Sequence, residues 1–127
     1  MTNKLKPTEP AGKLAIAFVR CYDKWQQQAA ALLMASHPPD GMPRSTEPGN
    51  PTARIAELRA GFLADIKAVD DALYTLPAEY RQGIWQRVKD GRRWADCAGY
   101  EYADPRTWYN QQCAFLYQVA KNMGKVI

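Results

Sequence analysis

Histidine is almost missing from this chain of 127 residues, and cysteine is sparse. His37 is the single histidine, and the cysteines are Cys21, Cys97 and Cys113, with no Cys-x-x-Cys pair. A structural zinc site needs four closely spaced Cys or His ligands, so a conventional zinc finger is excluded. His37 lies among prolines and reads as an exposed loop residue. Gly83, Gly91 and Gly99 lack a following Gly-Lys-Ser/Thr context, so no phosphate loop is present. The apolar run Leu14–Val19 is six residues long, whereas a membrane span needs about 20. No secretory signal is read, and three unpaired thiols suit a reducing compartment. The expectation is therefore no membrane and a cytoplasmic location, with the cysteines acting as small buried apolar groups.

Paired carboxylates are lacking too. Asp70 and Asp71 are adjacent, so on a helix they point about 100° apart. Glu57 and Asp65 stand two helical turns from each other. Both pairs read as a solvated polar face. No metal, no cofactor and no enzymatic activity are expected.

What remains is an ordinary globular composition, 46% hydrophobic and 24% charged, with a net charge of +4. A chain of this length is one domain by prior and can bury one proper core. The charge is uneven. Residues 77–127 hold eight Lys/Arg against five Asp/Glu, whereas residues 51–76 hold three against four. A basic excess in the last third favours a partner rich in phosphate.

The pattern along the chain is helical. Residues 1–11, with Pro7 and Pro10, read as a loose tail. Leu14, Phe18, Cys21, Trp25, Ala29 and Leu32 recur at steps of three and four, which predicts helix one over about 12–36. His37–Pro51 holds five prolines and two glycines in fifteen residues and predicts a long loop. Asn50-Pro51 is a favoured cap and first helical residue. It opens helix two over 52–75, whose stripe is Ile55, Leu58, Phe62, Ile66, Val69 and Leu73. Thr75-Leu76-Pro77 turns the chain. Helix three then covers about Pro77–Lys89 and ends at Asp90-Gly91. Helix four is short, about Arg93–Tyr100. Helix five runs from Pro105 to about Met123, capped by Asp104 and stopped by Gly124. No period-two alternation predicts a strand. The expected fold is a single all-α domain with two long N-terminal helices and a three-helix helix-turn-helix unit over 76–123.

The last helix carries the functional reading. Trp108 and Phe115 are seven residues apart and share an apolar face. Arg106, Thr107, Tyr109, Asn110 and Gln111 occupy its first two turns. Asn and Gln can pair bidentately with adenine, and Arg with guanine. Arg92 and Arg93, before helix four, are placed for phosphate contacts. Such a helix reads bases in a helix-turn-helix; the bland rival is a three-helix cap with a solvated polar face.

The ordered motifs Leu76-Pro77, Glu79, Arg81, Ile84, Val88, Gly91, Ala98, Asp104 and Thr107 resemble region 4 of sigma-70-type factors. With the aromatic first helix, Asn50-Pro51-Thr52 and the closing Val119-Ala120-Lys121-Asn122-Met123-Gly124, residues 12–127 resemble phage transcriptional regulators of the RinA/ArpU type. That resemblance implies double-stranded DNA as partner and activation of phage or prophage genes in a bacterial host cell. Helix-turn-helix proteins usually double their contacts, so a homodimer is expected. The alternative is a non-enzymatic interaction protein that contacts RNA polymerase or another phage protein through a degenerate helix-turn-helix.

Overall fold

The computed structural model describes residues 4–36 and 51–124. Five α-helices follow one another: α1 (Pro10–Arg20), α2 (Tyr22–Ser36), α3 (Pro51–Tyr74), α4 (Ala78–Lys89) and α5 (Pro105–Asn122). Two 3-10 turns, Trp94–Asp96 and Tyr100–Tyr102, join α4 to α5. The fold is all-α, with no strand among the described residues. His37 and the loop to Asn50, including the Asn50 cap, lie outside the described residues; Pro51 does open α3.

The chain forms two compact units: Met1–Cys21 with Ala68–Ile127, and Tyr22–Lys67. In the second unit α2 and the first part of α3 are linked by Arg59, whose Nε–H donates to Ala29 O at 3.3 Å. Ala29 is buried there, whereas Leu33, Met34, Leu58 and Leu63 are exposed.

Helix one differs from its prediction. It is interrupted at Cys21, whose N–H is shared between Ala17 O and Phe18 O. No proline or glycine marks that position, so the break leaves no composition signal. The buried face of α1 is also displaced. Gly12, Ala15 and Val19 are buried and Leu14 is exposed. Small residues let the neighbouring backbone approach: a Cβ at Gly12 would run into the Lys6 carbonyl. Residues 4–9 are accordingly held down rather than loose. Leu5 N–H donates to Cys113 O at 3.0 Å, and Glu9 N–H to Lys6 O at 3.1 Å.

In the first unit α1 packs on α4 and α5, and α4 packs on α5. Their core is Ala15 and Val19, Ile84 and Val88, and Trp108, Phe115, Leu116 and Val119, each 2% exposed or less. Val69, Ala72 and Leu76 join it from the end of α3 and the turn that follows. Burying side chains of this size contributes about 1.5–3 kcal/mol each, before entropy is counted. The Thr75-Leu76-Pro77 turn forms as the sequence predicts. Arg81 ties it, with Nε–H donating to Leu76 O at 3.0 Å and Nη2–H to Tyr74 O at 3.2 Å.

Helix four does not form. Gly99 takes φ +74°, a left-handed conformation that interrupts an α-helix. Two single 3-10 turns stand in place of an Arg93–Tyr100 helix. The Asp90-Gly91 stop is as read: α4 ends at Asp90 and Gly91 adopts φ +68°. Gly124 at φ +77° follows the end of α5 in the same way.

Candidate nucleic-acid interface

The start of α5 is fixed by its own sequence. Asp104 is the N-cap, and its Oδ1 accepts the Thr107 N–H at 2.8 Å, with Pro105 at the first helical position. Hydrogen bonds from the Thr107 side chain and backbone, and then the Arg106 charge, hold the Asp104 carboxyl below the usual carboxylate range.

A second device sets the height and angle of this end. Trp108 is fully buried one turn inside the helix. Its Nε1–H donates to Tyr100 O at 2.9 Å. Tyr80 meets its ring edge-on at 4.8 Å, with Tyr100 at 6.0 Å and Trp94 at 6.2 Å. Gly83 opens the space: a Cβ there would lie 2.8 Å from Trp108 Cζ3 and 2.6 Å from Ala98 O. Gln86 Oε1 accepts the Ala98 N–H at 2.7 Å, and Arg87 lies 5.0 Å over the Trp94 ring. The connector that lacks an α-helix is thus clamped to α4 by aromatic packing and side-chain hydrogen bonds.

At about 100° per residue, Arg106, Thr107 and Asn110 fall on the side away from the buried Trp108, Phe115 and Leu116 stripe, and Gln111 falls on its border. Arg106 is exposed, and Thr107, Asn110 and Gln111 are half-buried. The Thr107 side chain is engaged by the Asp104 cap. Tyr109 is 39% exposed and lies on the other border, beside Arg106 and on the side of Cys113. Burial pushes its hydroxyl pKa up, with the Cys113 thiol and Glu9 adding to the rise. The five residues therefore divide into an outer group of Arg106, Thr107 and Asn110, with Tyr109 and Gln111 on the two borders of the buried stripe.

Arg92 and Arg93 follow Gly91 and are both exposed. The Arg92 carbonyl accepts Arg87 Nη1–H at 2.8 Å. Arg93 Nε lies 3.3 Å from Asp96 Oδ2, a pair whose side chains are 86% and 54% exposed. Such an exposed pair is worth about 0–1 kcal/mol, weak enough for a phosphate to displace.

Periodicity misses three groups near this region. Lys4 and Lys6 lie close enough to Cys113 for their charges to act on its thiol. Gln112 is 4% exposed although it sits between polar neighbours in sequence. Its helical spacing from Trp108 and Phe115 is the signal that could have placed it inward. Among the described residues no group of three or more His, Cys, Asp or Glu side chains could hold a metal ion. No described helix is long and apolar enough to cross a membrane. No protein-family model matches this chain, and no curated protein or solved structure matches it.

Proposed function

We propose that this chain is a sequence-specific DNA-binding regulator of phage or prophage transcription, an activator without enzymatic activity. One observation carries the reading. The first two turns of α5 present Arg106 and Asn110 outward with Gln111 at their border, while Asp104 caps the helix and the buried Trp108 anchors it. Side chains of that kind on the leading end of a helix suit base edges in the major groove. The exposed Arg92 and Arg93 suit flanking phosphates. A homodimer in the bacterial cytoplasm would supply the second half-site, and helices of the Tyr22–Lys67 unit offer exposed Leu33, Met34 and Leu58 for such pairing.

The experiment is selection of bound sequences from random duplex DNA, followed by titration of the selected site with Arg106→Ala and Asn110→Ala. Each substitution is expected to cost about 1–3 kcal/mol at one base position. Unchanged affinity and sequence preference in both variants would remove α5 as the reading helix.

A second reading is favoured by the connector. Two 3-10 turns replace the first helix of a standard helix-turn-helix, and a unit altered in this way can serve as a docking surface for RNA polymerase. Retention of no DNA at low salt, together with co-purification of polymerase, would favour it.

A further inference from the structure

A cavity of about 210 Å³ lies within the first unit, lined by Arg20 of α1, Arg87 and Val88 of α4, Gly91 and Gln112 of α5, with Ile16 and Pro7 beside them. Two arginines and one primary-amide side chain thus line one opening. Each arginine is held by one backbone carbonyl, Arg87 also by the Trp94 face, and each has further N–H groups. Arg20 Nε–H donates to Val88 O at 3.2 Å, and Arg87 Nη1–H to Arg92 O at 2.8 Å. Arg20 Nη2 lies against Gly91, where a Cβ would approach it to 3.3 Å. The left-handed Gly91 thus leaves room for that guanidinium end.

Gln112 is the telling residue. It is 4% exposed, yet its amide makes no hydrogen bond with any described residue. No fully enclosed side-chain nitrogen or oxygen lacks a partner among the described residues. The Gln112 amide therefore opens onto the cavity it lines. An amide open to a cavity is free to hydrogen-bond a ligand or water there. Beside two cations the better ligand is an anion with several acceptor oxygens, because Arg pairs with phosphate or carboxylate through forked, charge-assisted hydrogen bonds. The tetrahedral phosphate offers oxygens to three donors at once, where a planar carboxylate offers two. The carbonyl end of α4 is locally negative, and Arg20 offsets it by taking the Val88 carbonyl.

We infer that the Arg20–Arg87–Gln112 cavity is a phosphate-binding site, for a phosphoryl group presented by a small phosphomonoester or by a DNA backbone. The inference stands apart from base reading by α5, since the cavity residues include none of those assigned to it.

Inorganic phosphate is the probe. It is titrated into the intact protein against chloride at equal ionic strength, with Arg side-chain N–H and Gln112 amide signals followed by NMR. Phosphate is expected to shift all three groups saturably, with half-saturation reached below about 10 mM. Gln112→Leu removes the amide but keeps volume and both cations, and is expected to weaken binding about tenfold. Arg87→Lys keeps charge without the fork and is expected to weaken it similarly. Since Arg87 also braces the Arg92 carbonyl, Gln112→Leu is the deciding variant. Absence of any shift, or wild-type affinity in Gln112→Leu, would overturn the site. A duplex DNA titration at saturating phosphate separates the sources. Loss of DNA affinity beyond the chloride control assigns the site to backbone phosphate, and unchanged affinity assigns it to a free phosphomonoester.

Discussion

The ring of Trp108 stands where a side chain at Gly83 would be. A Cβ on Gly83 would lie 2.8 Å from Trp108 Cζ3 and 2.6 Å from the Ala98 carbonyl. Two distant segments, the connector and the head of α5, therefore meet α4 at a position that only glycine fills.

Gly83→Ala is a test of that closeness. Alanine in mid-helix gains up to about 1 kcal/mol over glycine, but forcing a methyl against a fixed ring and a backbone carbonyl costs about 1–3 kcal/mol. The carbonyl cannot rotate away, so the clash is expected to win and the urea midpoint to fall. Gly61→Ala in α3 is the matched control, with nothing within 4 Å of the new Cβ. It is expected to stabilise by up to about 1 kcal/mol. Equal changes at the two sites would show that the Trp108 contact does not constrain the fold.

Asp104 makes acid stability informative. Its folded-state pKa is held down by the Thr107 hydrogen bonds and by Arg106. A carboxyl with a depressed folded pKa stabilises the fold above its unfolded value, about 3.9. That contribution is lost as pH falls through the folded value. Asp104→Ala should lower the melting temperature by a few degrees at neutral pH. The difference from wild type should shrink as the pH drops below that range. A difference that persists unchanged at low pH would mean that the capping carboxylate is not its source.

Thiol reactivity should follow burial. Desolvation raises the pKa of Cys97 and Cys113, more than nearby Arg and Lys charges lower it. Both are buried, whereas Cys21 is half-buried at the α1–α2 break. Alkylation of the folded protein near pH 8, read by peptide mass spectrometry, should label Cys21 first. Cys97 and Cys113 should react only under denaturing conditions or at higher pH. Early labelling of Cys113 would show that residues 4–9 do not cover α5 as the Leu5–Cys113 hydrogen bond implies.

Local chemistry made some elements legible in the sequence. Asp104-Pro105 opens α5, Asp90-Gly91 ends α4 and Gly124 follows α5, because caps and left-handed glycines act over a few residues. Signals that depend on a partner were hidden. The α1 stripe was misplaced because Gly12 and Ala15 are buried for their smallness, not their hydrophobicity. Gly99 was tolerated in a helix that it interrupts. On α5 the spacing from Trp108 and Phe115 places Arg106 and Asn110 off the apolar face, with the exposed Tyr109 and the half-buried Gln111 on its two borders. Gln112 is polar by composition, and only its spacing from Trp108 and Phe115 signals that it is buried.

Asp96 offers a test of the phosphate role given to Arg93. The two side chains pair at 3.3 Å while exposed, so in free protein Arg93 is partly neutralised at little gain in stability. Phosphate must compete with Asp96 for it. Asp96→Asn keeps the side-chain shape and removes both the competition and a repulsive charge near DNA. Affinity for a selected duplex should rise a few-fold at low salt, and the gain should fade as salt screens it. Arg93→Gln should weaken binding across all sequences alike and lower the salt slope by about one. In the Arg93→Gln background, Asp96→Asn should add less than it does alone, because one part of its effect acts through Arg93. Full additivity between the two substitutions would place Arg93 away from the phosphates and leave only long-range charge at Asp96.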